Sequence, residues 1–294
     1  MGICERRTVI VTGAGRGLGR AHARALAAEG AAVLVNDIDS AAAQRVAAEI
    51  QQDGGQALAN SDDITTLAGA HKIVEAALGA FGEVHALVNN AGIVRDKMFV
   101  NLTEQDWDEV IRVHLRGHFC IASLLVRRWR DQVKASGQKV DARIVNTTSG
   151  AGLQGSVGQS NYAAAKGGIA SLTLVQAAEL ARYGITANAL APAARTGMTE
   201  PVFGEIMKKP DDPNAFDHYA PENVSPLVVW LCSPLSAHVT GRVFEVEGGK
   251  ISVATGWRTG PGRDKKARWN PAELTEVVNE LLAEAPKPQK VYGT

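Results

Sequence analysis

The chain has 294 residues, and its 31 Lys+Arg against 31 Asp+Glu give a formal net charge of zero. That balance argues against a nucleic acid or an anionic membrane surface as main partner, because both recruit a basic excess. A composition 45% hydrophobic and 21% charged excludes wholesale disorder, and the three cysteines (Cys4, Cys120, Cys232) are too few and too widely spaced for a disulfide scaffold or a cysteine zinc cluster.

The first apolar run, residues 9–11, stops at Gly13 and is too short for a signal-peptide core. Arg6 stands where a myristoylation signal needs Ser or Thr, no run of 18 apolar residues predicts a membrane span, and Tyr-Gly-Thr is not a peroxisomal address. A cytoplasmic protein is expected. Short β-rich runs at 8–11, 33–36, 56–60, 86–89, 143–147, 186–190 and 243–246 alternate with helical patterns. The helices are predicted over 18–29, 41–52, 67–81, 104–129 and 162–183. Such alternation predicts an α/β fold, a parallel sheet with helices on both faces.

Two regions break the rhythm. Residues 197–226 are rich in Pro and polar groups, as in a loop beyond a strand end. A helix over 200–209 would put Val202, Phe203, Ile206 and Met207 on one side, either as core packing or as a lid over an apolar substrate. Lys208 and Lys209 read as a solvated charge pair or as contacts to a CoA phosphate at the lid's rim. The tail, 256–294, carries a predicted helix from Asn270 to about Ala283 whose Leu274, Val277, Val278 and Leu281 form one apolar face. It is expected to dock on the 1–255 domain or on a neighbouring subunit.

Directly after the first strand stands Thr12-Gly13-Ala14-Gly15-Arg16-Gly17-Leu18-Gly19. Neither G-x-G-x-x-G nor a Walker loop fits; G-x-x-x-G-x-G does, at Gly13, Gly17 and Gly19. Missing side chains let backbone approach a pyrophosphate, and a helix N-terminus supplies free N–H groups and a positive dipole end. Asp37 closes the second strand, where a carboxylate accepts from both adenosine ribose hydroxyls and repels a 2′-phosphate. NAD is therefore expected rather than NADP, against the contrary signal of Arg16. Asp63 reads either as acceptor for the adenine amino group or as a helix N-cap. Asn89-Asn90-Ala91-Gly92 closes the fourth strand, to line the nucleotide or to tie neighbouring strands together.

Ser149 follows the fifth strand, and Tyr162 and Lys166 stand at i and i+4 on one predicted helix face. An ammonium beside a phenol favours phenolate, which can take the proton of an alcohol while hydride leaves the same carbon. Ser149 can hold the alcohol or carbonyl oxygen.

With these motifs, residues 8–249 resemble the short-chain dehydrogenase/reductase family. The resemblance implies one Rossmann-type doubly wound domain with a seven-stranded parallel sheet in the order 3-2-1-4-5-6-7, and a homodimer or homotetramer built on the helices around 104–129 and 162–183. It implies that Ser149, Tyr162 and Lys166 are catalytic and that Tyr162 and Lys166 also meet the cofactor. It further implies that the segment ending in Pro192, and Thr196 beyond it, lie at the nicotinamide. Many members carry in the long helix an Asn that completes a proton relay; here His114 takes that place. His114 and His118 at i, i+4 invite a zinc reading, but with no obvious third ligand no metal is expected. Within the family, Asn90 to Phe99, Asp106-Trp107-Asp108 and Arg112 to Gly117 are similar to the (3R)-hydroxyacyl-CoA dehydrogenase part of type 2 peroxisomal multifunctional enzymes, also described as 17β-hydroxysteroid dehydrogenases.

The expected activity is thus NAD-dependent interconversion of a secondary alcohol and a ketone on a lipid-like molecule. A (3R)-hydroxyacyl-CoA comes first and a hydroxysteroid second. A 3-oxoacyl-carrier-protein reductase and a non-catalytic nucleotide sensor are the alternatives. Asp37 opposes the first of these, and the presence of both Tyr162 and Lys166 opposes the second.

Overall fold

The computed structural model describes residues 2–199, 204–212 and 214–293. Strands β1 (Thr8–Thr12), β2 (Ala32–Asn36), β3 (Gln56–Asn60), β4 (Ala86–Asn89), β5 (Ala142–Thr147), β6 (Ile185–Ala193), β7 (Val243–Glu247) and β8 (Lys250–Val253) form one sheet. Its order is β3-β2-β1-β4-β5-β6-β7-β8. The first seven strands pair in parallel in the expected order; β8 runs antiparallel on β7 and adds an edge strand that the sequence reading omitted. The reason is Gly248-Gly249. Glu247 pairs with Lys250, so two residues reverse the chain, with Gly248 at φ 53°. A two-residue hairpin turn needs positive φ, which glycine adopts without a Cβ clash.

The helices are α1 (Gly17–Ala28), α2 (Ser40–Gln52), α3 (Leu67–Phe81), α4 (Glu104–Ile111), α5 (Gly117–Ser136), α6 (Gly150–Gln154), α7 (Ser160–Leu180), α8 (Ser225–Cys232) and α9 (Leu274–Glu284). Alternation along the strands sends side chains into two cores. Val9, Val11, Val33 and Val35 meet Leu26 of α1, Val46 and Ile50 of α2 and Val228 of α8. Ile10, Leu34, Leu87 and Ile144 meet Ile73 of α3, Ile121, Leu125 and Trp129 of α5 and Leu180 of α7. Strands covered on both faces read as unbroken apolar runs, which is why β1, Thr-Val-Ile-Val-Thr, is buried throughout.

From β1 the chain winds through β2 to β3 in one direction, and from β4 onward in the other. The reversal between β1 and β4 opens a crevice at the C-terminal ends of the strands, where doubly wound sheets bind ligands.

Three expectations change. The continuous helix over 104–129 is α4 and α5 joined by a π turn, Arg112–Arg116, and α5 runs on to Ser136. Of the helix expected over 200–209, residues 200–203 lie outside the described residues, and Gly204 to Met207 form turns. Arg195 Nη1 donates to Met207 O at 2.6 Å, and Pro210 biases its predecessor away from helix. The tail helix α9 forms behind a short 3-10 turn, Pro271–Glu273, and it is this turn that Asn270 caps, its side chain accepting from Ala272 N in a capping box with Glu273. None of its residues is buried, and Leu274, Val278 and Leu282 stay exposed. Among the described residues its ion pairs run within the tail, through Arg263 to Glu280 and Glu284, and the part of the tail that meets the domain of the same chain is the tip around Tyr292.

Candidate active site

The loop between β1 and α1 is built by close approach. Gly13 (φ 60°) and Gly17 (φ 52°) take left-handed backbone. A Cβ at Gly19 would lie 2.1 Å from Gly13 O, and one at Gly13 2.7 Å from Ala91 Cα. Leu18 packs on the first core, and Arg16, exposed, is the N-cap of α1 without a capping side-chain bond. The first-turn N–H groups of α1 therefore remain donors for an anion. Asp37 faces this loop: Oδ2 accepts from Gly15 N at 2.9 Å and Oδ1 from Asp39 N at 3.0 Å, leaving a lone pair on each oxygen. These uncapped donors beside a carboxylate fit a dinucleotide.

Asn90 ties the loop to β4 rather than presenting its amide to the crevice. Its Nδ2 donates to Thr12 O (3.0 Å) and Gly13 O (3.2 Å), while Asn90 N and Ala91 N both donate to Thr12 Oγ1. Asn89 bonds Asn146 across β4 and β5 at 3.0 Å. Asp63 is not a helix N-cap: Thr66 caps α3, and Asp63 accepts from Thr65 N and Oγ1 at 2.8 and 2.9 Å. Pro192 sits on β6 beyond Leu190, where β5 has ended and no ladder bond is lost on that side. Thr196 lies over the glycine loop; a Cβ at Gly17 would be 3.4 Å from its Cγ2.

Ser149, Tyr162 and Lys166 come together at the C-terminal end of β5. Ser149 is the N-cap of α6, its Oγ accepting from Ala151 N at 3.2 Å. Lys166 Nζ donates to Thr147 O at 2.6 Å and lies 5.5 Å from the Tyr162 ring centroid. Burial pushes the Lys166 ammonium down to about 7. Burial likewise pushes the Tyr162 phenol up to about 12, and a hydrogen bond with Ser149 pulls it part of the way back. The expected net depression of the phenol is not found, because desolvation of a phenolate dominates here.

The π turn carries His114, which is buried with Nε2 at 2.7 Å from Ile93 O and 3.1 Å from Ile93 N. The shorter contact makes Nε2–H a donor to Ile93 O. Burial holds the imidazole down to about 3, so it is neutral. Its ring meets the Tyr162 ring edge-on, with centroids 5.3 Å apart, and its Nδ1 has no partner among the described residues. A Cβ at Gly92 would lie 2.4 Å from His114 Cε1, so Gly92 makes room for that ring. Among the described residues no group of three His, Cys, Asp or Glu side chains converges as a metal site, and no helix is long and apolar enough to cross a membrane.

Two supports escaped the sequence reading. Thr12 is a hub because it ends β1 directly before the glycine loop, its hydroxyl facing Asn90 N and Ala91 N. Asn161 is fully buried: Nδ2 donates to Arg95 O (3.2 Å) and Asp106 O (3.1 Å), and Oδ1 accepts from Tyr162 N (2.7 Å). An amide immediately before the tyrosine at a helix start was its signal.

Residues 7–205 match the family profile of short chain dehydrogenases. The chain is 42% identical over 289 residues to hydroxyacyl-CoA dehydrogenase ChsB1 of Mycobacterium tuberculosis, covering 94% of this chain and 89% of that protein. It is 42% identical over 264 residues to peroxisomal multifunctional enzyme type 2 of Mus musculus, covering 87% of this chain but 33% of that enzyme. A short chain dehydrogenase structure from Mycobacterium avium superposes with a TM-score of 0.90 at 52% identity over the whole of both chains. With a matching profile over most of its length and a relative 42% identical over 94% of it, the chain belongs to the short-chain dehydrogenase/reductase family and is an oxidoreductase of CH–OH groups.

Proposed function

We propose that the protein is an NAD-dependent dehydrogenase of (3R)-hydroxyacyl-CoA thioesters. The convergence of Ser149, Tyr162 and Lys166 beside a glycine loop faced by Asp37 carries this reading. Similarity to a hydroxyacyl-CoA dehydrogenase over nearly the whole chain supports the thioester.

Gly13, Gly17, Gly19 and the first turn of α1 hold the pyrophosphate, and Asp37 accepts from the adenosine ribose. Arg16, Leu18, Asp63, Asn90, Ala91, Gly92, Pro192 and Thr196 complete the nucleotide's surroundings. NAD supplies the hydride acceptor and, oxidised, a positive charge. Ser149 holds the substrate hydroxyl by hydrogen bond. Tyr162 removes its proton, and Lys166, 5.5 Å from the Tyr162 ring centroid, meets the nicotinamide ribose and, when protonated, offsets part of the phenolate's desolvation. His114 fixes the Tyr162 ring by edge contact. The lid expected over 197–226, of which residues 200–203 and 213 lie outside the described residues, would cover the acyl body. Exposed Phe119 on α5 and Leu174 and Val175 on α7 are the faces through which a homodimer or homotetramer assembles in the cytoplasm. Arg16 favours a second reading, an NADP-dependent 3-oxoacyl reductase, since a basic group in the glycine loop suits a 2′-phosphate.

The test is a cofactor-reduction screen. (3R)- and (3S)-hydroxyacyl-CoA and hydroxysteroids are each offered with NAD and with NADP. Turnover of (3R)-thioesters with NAD is expected; a strong NADP preference, or steroid turnover alone, would overturn the reading.

A further inference from the structure

The substrate side of the site is a glycine-rich segment. Between Ser149 and Gln159 stand Gly150, Gly152, Gly155 and Gly158. Gly155 and Gly158 take positive φ, 84° and 77°. Such a segment has high conformational entropy and stays in place only where neighbours hold it. One neighbour is the loop before α4. Lys97 N donates to Gly158 O at 2.8 Å, Lys97 bridges Gln159, and Gln159 Nε2 donates to Asp96 Oδ2 at 2.8 Å.

The other neighbour is the far end of the chain. Tyr292 N donates to Gly155 O at 3.1 Å, and Val157 N donates to Tyr292 O at 3.0 Å, forming a parallel bridge between Ser156 and Tyr292. The side chain continues the clamp inward. A methyl group built on Gly150 would lie 2.6 Å from Tyr292 Oη and 2.8 Å from its Cε2, so the ring covers the residue next to Ser149. The phenol also bonds the Gln154 side chain at the end of α6. Val291 and Gly293 flank it, against Gly155 and Val157. Both ends of α6 therefore touch one tyrosine that follows an exposed helix and some 35 residues of tail.

We propose that Tyr292 is a positioning residue of the active site, clamping α6 and the 155–158 segment so that Ser149 stands ready for substrate and the acyl chain has a fixed wall. The effect on substrate rests on the reading of Ser149 as the group that holds the substrate oxygen; the clamp itself does not. None of the nearest atoms that a Cβ at Gly13, Gly15, Gly17 or Gly19 would meet belongs to Tyr292, so the clamp is expected to act on substrate and to spare nucleotide binding.

The first test reads the clamp directly. Trypsin cuts after Lys290 and is blocked at Lys287 by Pro288, so release of the last four residues, followed by mass spectrometry on the full-length protein, reports undocking. Slow release is expected in the wild type, with that protection lost in Gly150→Ala, whose methyl group displaces the ring. The second test is kinetic, with (3R)-hydroxyacyl-CoA substrates of short and long chain. Tyr292→Ala is expected to raise KM about tenfold or more, with kcat changed less and Kd for NAD unchanged, since small misplacements at a site are amplified in rate and affinity. Tyr292→Phe keeps the ring and should keep KM. Equal tryptic release in wild type and Gly150→Ala, or an unchanged KM in Tyr292→Ala, overturns the clamp. If no thioester is turned over, the functional reading fails by itself and release at Lys290 still decides the clamp.

Discussion

Replacing Tyr162 by Phe removes one oxygen from a ring whose position is fixed by His114 on its edge and by Asn161 at its backbone. The ring stays and the proton acceptor goes. Tyr162→Phe is therefore expected to lose about 10²–10⁴-fold in kcat, the usual worth of a positioned acid–base group. Kd for NAD, measured by protein fluorescence, should stay within about threefold of wild type. A variant with near wild-type kcat would remove Tyr162 from the chemistry. Asp37 acts at the other end of the crevice. Its carboxylate is already oriented by Gly15 N and Asp39 N, so its loss costs preformed acceptors. Asp37→Ala should weaken NAD by about 1.5–3 kcal/mol while improving NADP, as the repelling charge leaves. Titration of both nucleotides checks it, and equal weakening of the two would assign Asp37 to loop structure alone.

At the scale of elements, the active helix α7 is positioned by its first turn. Asn161 reaches back to Arg95 O and to Asp106 O on α4, so one buried amide links three segments around Tyr162. Asn161→Leu fills similar volume but leaves Asp106 O without that donor in a buried place and Tyr162 N without its acceptor. It should lower the free energy of unfolding by about 1–3 kcal/mol in urea titration. It should also depress kcat, whereas a pure packing role would lower stability and spare kcat. The parallel sheet was legible in the sequence because strands buried on both faces leave continuous apolar runs, and Gly13-x-x-x-Gly17-x-Gly19 marks the turn between strand and helix; the order of the strands came with the family resemblance and not from any run. The π turn at His114 was not legible, since one inserted residue in a helix leaves no compositional trace. Strand β8 was legible in principle from Gly248-Gly249 between two β-rich runs, and the turns at Gly204 to Met207 from Pro210. The Tyr292 clamp depends on residue 292 meeting residues 150–157, far away along the chain, and no local pattern encodes that.

For the whole molecule, buried bases set how stability depends on pH. His22 on α1 is fully buried, bonded through Nδ1 to Ser225 Oγ on α8 at 3.0 Å, and burial holds it down to about 3. His114 is held down to about 3, and His118, also buried, well below its ordinary value; in each case desolvation is the largest cause. Lys166, pushed down to about 7, follows the same logic at higher pH. A base whose pKa is lower in the folded chain takes up its proton first in the unfolded chain. Between the two pKa values the unfolded state binds more protons, so stability rises with pH across that interval. For His22 and His114 the interval runs from about 3 to 6.5, and for Lys166 from about 7 to about 10.4. Each fully buried histidine should remove about 2 kcal/mol between pH 7 and pH 5, against a typical total of about 5–15 kcal/mol. Acidification should therefore unfold the protein well before its carboxylates are titrated. His22 isolates the effect, because it lies between α1 and α8 outside the Ser149–Tyr162–Lys166 group. His22→Asn keeps a polar partner for Ser225 and has no titrating ring. Its unfolding free energy in urea at pH 7 and at pH 5 should differ by about 2 kcal/mol less than the wild type's. Equal pH slopes in the two proteins would show that His22 takes its proton in the folded state, and the packing between α1 and α8 would then have to open to admit it.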